Sequence, residues 1–359
     1  MNYSINWWRT SFGEEEILRV VHSLRNEHVS QGKVTEEFEH KLGDFLGVEH
    51  VVATTSGTSA LTLAYMTLGV RPGDEVIVPN RTWVATAHAA LILGAKVVLI
   101  DVELNRPVIN AQLIEEAITS HTKVIVPVHM NGRSADMKKI RQIASKHDVF
   151  IVEDAAQAIA SRNSEGFLGT QSDIGCFSLS VAKTVATGQG GFAVTNNTEV
   201  ASRMKNLRTH GVESVKDLSS WNLAGFNFRF TDLQASIGIE QLQRLPYRVN
   251  HLKELYQIYS EGLKDSPFTL IPVDLENGEV PVYNEFLVEN RKEWIAYLAD
   301  HSIDTRPFYP DLDTADYISQ KSSNFPNSRK YGKQGIYLPS GPTQELKNAK
   351  VCVDQILKK

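Results

Sequence analysis

Residues 75–101, EVIVPNRTWVATAHAALILGAKVVLID, place two short β-branched runs, EVIVP and KVVLID, on either side of a helical stretch. Strand, helix, strand is the βαβ unit, whose crossover makes the two strands parallel members of one sheet. The same alternation continues outward in both directions. HVVATT and GTSALTLAYMTLG come before it, and NAQLIEEAIT, KVIVPV, ADMKKIRQIASKH and VFIVEDA come after. CFSLS and GFAVT add two more strand-like runs, so the expected fold is α/β, with a mainly parallel sheet of about seven strands flanked by helices. Upstream, Ser11 and Glu14 read as a capping box for a first helix carrying Ile17, Val20, Val21 and Leu24. A second helix follows Thr35, with Phe38, Leu42, Phe45 and Leu46 on one face and Gly47 as its C-terminal cap.

A chain of 359 residues exceeds the size at which one core stops growing, roughly 250 to 300 residues. The pattern shifts near Pro246, which divides the chain into a large α/β domain with the N-terminal helices (residues 1–245) and a smaller α+β domain (246–359). A formal net charge of -5 argues against nucleic acid or an anionic membrane as the main partner. The two cysteines, Cys176 and Cys352, lie in no metal-ligand spacing, so neither a disulfide framework nor a zinc site is expected. With no cationic, apolar leader and no apolar run of about 18 residues, a cytoplasmic protein acting on small molecules is the expectation.

In an open parallel sheet, ligands lie beyond the carboxyl ends of the strands, so the residues that follow each β run are the informative ones. TTSGTSA (54–60) brings Gly57, Thr58 and Ser59 to a helix start. That is either a plain Ser/Thr/Gly cap or a cradle of free amides and hydroxyls for a phosphate. PNRTWVATA (79–87) sets Trp83 past a strand, as a core filler or as a flat face for an aromatic cofactor. VFIVEDAAQA (149–158) ends a buried run on Glu153 and Asp154, with Gln157 one turn later. A carboxylate there caps the next helix or meets a cation, since burying it unpaired costs several kcal/mol. GCFSLSVAKTVATGQGG (175–191) holds Ser178 and Lys183, the latter being the one charged residue between Asp173 and Glu199. By itself Lys183 reads as a snorkelling loop lysine or as a desolvated amine suited to imine chemistry. Together the four stretches supply what pyridoxal 5′-phosphate (PLP) needs: a phosphate cradle, an aromatic cover, a carboxylate for the ring nitrogen and an amine.

The motifs SGTSAL, GDEVIVPNRTWVATAHAA, VEDAAQA, SDIGCFSLSVAKTVATGQGGFAVT and GFNFRFTDLQASIGIEQL, in this order, resemble the DegT/DnrJ/EryC1/StrS family of fold type I, PLP-dependent sugar aminotransferases. The resemblance implies that Lys183 is the Schiff-base lysine and that Asp154 partners the pyridinium nitrogen. It places Gln157 at the phenolic oxygen, Trp83 over the ring, and Thr58, Ser59 and Ser178 at the phosphate. It also sends Asn227, with Arg229 beside it, to the phosphate of a neighbouring subunit, so that the site is completed only in a homodimer. DTRPFYPDLD (304–313) matches the substrate-proximal segment, which makes Arg306 and Tyr309 the substrate candidates. Ser180 joins them because many members carry histidine at its position.

The implied reaction is transfer of the amino group of glutamate to the keto group of a nucleotide-linked keto-deoxysugar, as in polysaccharide or O-antigen biosynthesis. Alternatives are another carbonyl (a keto-inositol, a keto-octulosonate or a small phosphorylated ketone) or a catalytically silent regulatory member. Lys183 argues against the dehydratase branch, in which histidine replaces the lysine.

Overall fold

The computed structural model describes residues 3–213, 221, 223–318, 320 and 324–359. Helices α1 (Glu14–Arg25) and α2 (Lys33–Leu46) lead into β1 (His50–Thr54) and α3 (Gly57–Thr67). The strand–helix–strand stretch of 75–101 folds as expected, into β2 (Glu75–Pro79), α4 (Ala85–Ile92) and β3 (Lys96–Ile100), with β2 and β3 parallel. NAQLIEEAIT yields only a 3-10 turn and the single-turn α5 (Ile114–Ala117). Then follow β4 (Thr122–Ile125), α6 (Met137–His147), β5 (Phe150–Asp154), a two-residue hairpin of β6 (Arg162–Asn163) and β7 (Gly166–Phe167), β8 (Ile174–Ser178) and β9 (Gly191–Thr195).

The main sheet has seven strands in the order β1-β9-β8-β5-β4-β2-β3. β9 runs antiparallel to both its neighbours, and the remaining pairs are parallel. Strand parity sorts the side chains. Val76, Val78, Val124 and Val152 join Leu61, Ala64 and Tyr65 of α3 on one face. Ile77, Ile125 and Ile151 meet Ile140 and Ile143 of α6 on the other. Each such aliphatic side chain, fully buried, contributes about 1.5–3 kcal/mol.

Downstream lie α7 (Thr198–Arg208), α8 (Asp232–Gln243), capped by the Thr231 hydroxyl, and the long α9 (Leu245–Gly262). Beyond α9, β10 (Thr269–Leu270), β11 (Asn284–Leu287), β12 (Arg306–Pro307) and β13 (Gly335–Leu338) form an antiparallel sheet, ordered β10-β11-β13-β12. Helices α10 (Arg291–Asp300), α11 (Pro326–Gln334) and α12 (Leu346–Lys358) accompany it. Leu252, Leu255, Phe286, Leu298, Ile336 and Cys352 share a separate core.

Two readings of the N-terminus need correction. Helix α1 starts after Gly13, whose N–H donates to the Glu16 carboxylate at 2.7 Å, so Ser11 is not its cap. The Ser11 carbonyl instead accepts from Gln241 and Arg248. The helix turns Glu16 and Ser23 inward, with Ser23 bonded to Ser236 of α8, and leaves Ile17, Leu18 and Leu24 exposed. Residues 5–8, assigned from sequence to the large domain, pack with the second sheet. Ile5 bridges to Ile303 and shares its core, and Trp8 bridges to Ser340.

Candidate active site

A cavity of about 410 Å³ opens at the carboxyl ends of β5 and β8, between the two sheets. Gly57, Thr58, Trp83, Asp154, Gln157, Ser178, Ser180, Lys183 and Tyr309, all singled out from sequence, line it.

The phosphate end is built on α3. The Ser56 hydroxyl accepts from Ser59 N–H at 3.0 Å and caps the helix, leaving the first amides, at Gly57 and Thr58, without intrahelical acceptors beside the Ser178 hydroxyl. Two glycines permit this approach. A Cβ on Gly191 of β9 would lie 2.4 Å from the Ser56 carbonyl carbon, and one on Gly57 would lie 2.9 Å from the Ser178 Cβ. Ser59 is the exception among the expected phosphate residues. Its hydroxyl bonds to Thr55 and Ser56, both at 2.9 Å, and it is Ser56 that faces the cavity.

Period-2 alternation sends the two carboxylates of β5 to opposite faces. Glu153, fully buried, meets His129 Nε2 at 2.8 Å and accepts from the Gly169 and Gln171 amides and the Ser172 hydroxyl. Because Ala135 N–H donates to His129 Nδ1, the imidazole Nε2–H is the donor to Glu153. Burial alone would raise the Glu153 pKa; the bonds from His129 and the two amides outweigh it, so the group stays below the usual carboxylate range. Asp154 has fewer donors, Thr86 Oγ at 2.7 Å and Ala156 N–H at 3.1 Å. Burial therefore keeps its pKa raised despite those bonds and the nearby positive charge of Lys183. Of the two options read from sequence, Glu153 meets the histidine, and Asp154 faces the cavity with a cation near it.

Lys183 sits in the loop after β8, its N–H bonded to the Ser180 carbonyl. Its Nζ has no hydrogen-bond partner among the described residues. Withdrawal from water lowers its pKa from 10.5 to about 8, against the opposing field of Asp154. The desolvated-amine reading is the one the structure supports. These groups fit PLP: free amides and a hydroxyl for a phosphate, a cavity-facing carboxylate short of donors for a protonated ring nitrogen, and an unpartnered amine for the carbonyl.

Trp83 is 57% exposed, so it is no core filler; its ring meets Tyr309 edge-on at 5.7 Å on the cavity wall. Gln157 lines the cavity while its Oε1 accepts from Asn131 N–H at 2.8 Å. Arg306 stays outside. Its side chain is exposed on the edge strand β12 and pairs with Asp304 at 3.2 Å. Asn227 and Arg229 bond to each other at 2.8 Å, also outside the cavity of their own chain.

Sequence reasoning missed the far wall. Trp7, Tyr283 and Tyr337 join Tyr309 there. Arg81 was missed as well: fully buried, it lies 4.8 Å from the Tyr309 ring centre and donates to the Tyr309 carbonyl and to Asp311, both at 2.8 Å. The available signals were the tandem Trp7-Trp8 and the arginine directly before Thr82 and Trp83.

Residues 10–357 match the DegT/DnrJ/EryC1/StrS aminotransferase family. GDP-perosamine synthase of Escherichia coli O157:H7 is 32% identical over 322 residues, covering 88% of this chain and 86% of that protein. The solved structure of DesV from S. venezuelae superposes with a TM-score of 0.92 at 30% identity, over 96% of this chain and 94% of that one. The PLP form of Spr1654 from Streptococcus pneumoniae superposes with a TM-score of 0.93 at 26% identity, over 99% and 98% of the two chains.

Proposed function

The chain belongs to the DegT/DnrJ/EryC1/StrS aminotransferase family, and from that premise we propose that it transfers an amino group from glutamate to the keto group of a nucleotide-linked keto-deoxyhexose. It is a PLP-dependent transaminase; the acceptor class and the donor are our reading. The observation that carries it is the pairing of an unpartnered amine, Lys183, with the buried carboxylate of Asp154 in one cavity. When bound, PLP supplies an electron sink that lets an amine-bearing carbon lose a proton.

The chain's own residues do the rest. The amides of Gly57 and Thr58 and the Ser178 hydroxyl anchor the phosphate. Asp154 holds a proton on the ring nitrogen, a charge pair that keeps the carboxylate ionised against its burial. Gln157 offers its amide to the phenolic oxygen, and Trp83 covers the ring. With a pKa of about 8, the Lys183 Nζ is partly neutral near neutral pH and so is able both to accept and to return a proton. The rings of Trp7, Tyr283, Tyr309 and Tyr337 exclude water from the acceptor side.

The similarity to GDP-perosamine synthase and the mostly aromatic far wall support a deoxygenated sugar as the acceptor. We further propose that two copies complete the site, with Asn227 and Arg229 serving the cavity of the other subunit. Support comes from their position outside their own cavity and from the exposed Ile17, Leu18 and Leu24 of α1. The division into domains at residues 245/246 is likewise proposed, with residues 5–8 reassigned to the second. Two sheets with separate cores support it. The test is a panel of keto-sugar nucleotides, keto-inositols and small ketones offered with glutamate and followed optically. Turnover only with acceptors that carry no nucleotide would overturn the sugar reading.

A further inference from the structure

The loop that carries Lys183 is held from outside the large sheet. The hydroxyl of Tyr283, the residue immediately before β11, donates to the Ala182 carbonyl at 2.8 Å. The indole N–H of Trp8 donates to the Val181 carbonyl at 3.0 Å. Two long-range bonds therefore end on the two consecutive residues that precede the amine.

Tyr283 is itself fixed on several sides. Its ring stacks on Trp7, with centroids 5.9 Å apart and planes at 18°, and lies 5.4 Å from Trp8. Its backbone N–H donates to Asn131 Oδ1 at 2.6 Å, and its carbonyl accepts from Asn131 Nδ2 at 2.9 Å. Asn131, fully buried and in the left-handed region at φ 54°, gives its own N–H to Gln157. A continuous run of bonds thus joins Gln157 on one side of the cavity to the loop of Lys183 on the other, by way of Asn131 and Tyr283.

We propose that Tyr283, assisted by Trp8, is a positioning residue that sets where the Lys183 amine stands relative to Asp154 and Gln157. After the amine the loop is anchored from α8 and α9, where Arg248 donates to the Thr184 carbonyl at 2.8 Å and Gln241 accepts from Ala186 N–H, and Val185 is buried. Before it, where Val181 is exposed, the bonds from Tyr283 and Trp8 are the long-range ones found among the described residues. An amine misplaced by about 1 Å is enough to cost a large factor in rate. A loosened loop also admits water, which would relieve the desolvation that holds Lys183 down; Asp154 is the charged group acting on it.

The inference rests on the aminotransferase reading, and the experiment separates the two. Trace acetylation of Lys183 in the cofactor-free protein, followed by mass spectrometry from about pH 6 to pH 11, reads the amine without any turnover. Tyr283→Phe, which keeps the ring and loses the hydroxyl, should move the labelling midpoint from about 8 toward 10.5. In the loaded enzyme it should lower kcat about tenfold with the KM for glutamate unchanged. Trp8→Phe should do the same to a smaller extent and serves if the first variant fails to fold. A midpoint that stays at about 8 and a kcat within about twofold in both variants, whatever happens to Tm, would overturn the proposal. If borohydride fixes no cofactor onto wild-type Lys183, the aminotransferase reading fails instead, and the labelling comparison still decides the clamp.

Discussion

One wall of the cavity ends the large sheet, and the other faces it from the second sheet and the N-terminal segment; they treat polar groups in opposite ways. On the first, Asp154 is buried with few donors, Lys183 is without a hydrogen-bond partner among the described residues, and the helix-start amides of α3 are unspent. On the second, the tyrosine hydroxyls are committed, and the exception is the buried Trp7 indole N–H, which has no hydrogen-bond partner among the described residues. Tyr283 bonds to Ala182, Tyr309 reaches the Met130 sulfur at 3.0 Å and also interacts with the Tyr337 hydroxyl, and Arg81 is tied to Asp311. Unspent polar groups on one side store binding and acid–base capacity, while spent ones on the other present ring faces only. The difference teaches that chemistry and selection are assigned to different walls.

Variants test that division. The largest effect is expected for Lys183→Met, which should lower transfer by about a thousandfold or more and abolish borohydride fixation of the cofactor. Asp154→Asn should retain cofactor, followed by its absorbance, yet lose about a hundredfold in turnover. Unchanged turnover would move Asp154 out of the reactive wall. Tyr309→Ala should raise the acceptor KM about tenfold while kcat changes less than about threefold. A kcat loss as large as that of Asp154→Asn would break the comparison.

The smallest effect is on stability. The folded state lowers the Lys183 pKa from 10.5 to about 8, so between those values the unfolded chain binds more protons and stability rises with pH. Below the folded value the cofactor-free protein carries the full cost of holding that charge. The ceiling is about 3 kcal/mol, and less because the amine is half-buried and partly screened. Lys183→Met should therefore stabilise the cofactor-free protein near pH 7, measured by urea unfolding. The advantage should shrink through about pH 8 to 10.5, and an advantage constant with pH would contradict the desolvated amine.

The legible part of the site was the part written along single strands. Lys183 stood out because no other charge lies near it in sequence, and Asp154 because a buried run ended on it. Which of Glu153 and Asp154 faces the cavity depends on parity relative to a sheet whose two sides were not yet distinguishable. The resemblance places Ser59 at the phosphate, but which hydroxyl caps α3 and which faces the cavity depends on where the helix starts, and with Gly57 as the first residue it is Ser56 that lines the cavity. Arg306 and Tyr309 lie three residues apart in one motif, an odd spacing that in extended chain sends side chains to opposite sides, and only the second lines the cavity. Tyr283 and Tyr337 had no local signature, and the tandem Trp7-Trp8 named no partner, since their meeting exists only once distant segments pack. The parallel sheet was plain because alternation repeats, whereas the exposed apolar stripe of α1 shows that periodicity names a face without naming what covers it.

The N-terminal segment ties chemistry to synthesis. Trp8, which holds the Val181 carbonyl, is seated by its bridge to Ser340, and nearby Asn6 accepts from Gln344, 338 positions away. Contacts of such separation form late, after the loops between them have closed. On a ribosome the large sheet has all its strands by Thr195, but the seat for Trp8 does not exist until residue 340 has emerged. Final alignment of the amine therefore waits for a nearly complete chain, so that a truncated product would keep the lysine and lack its register.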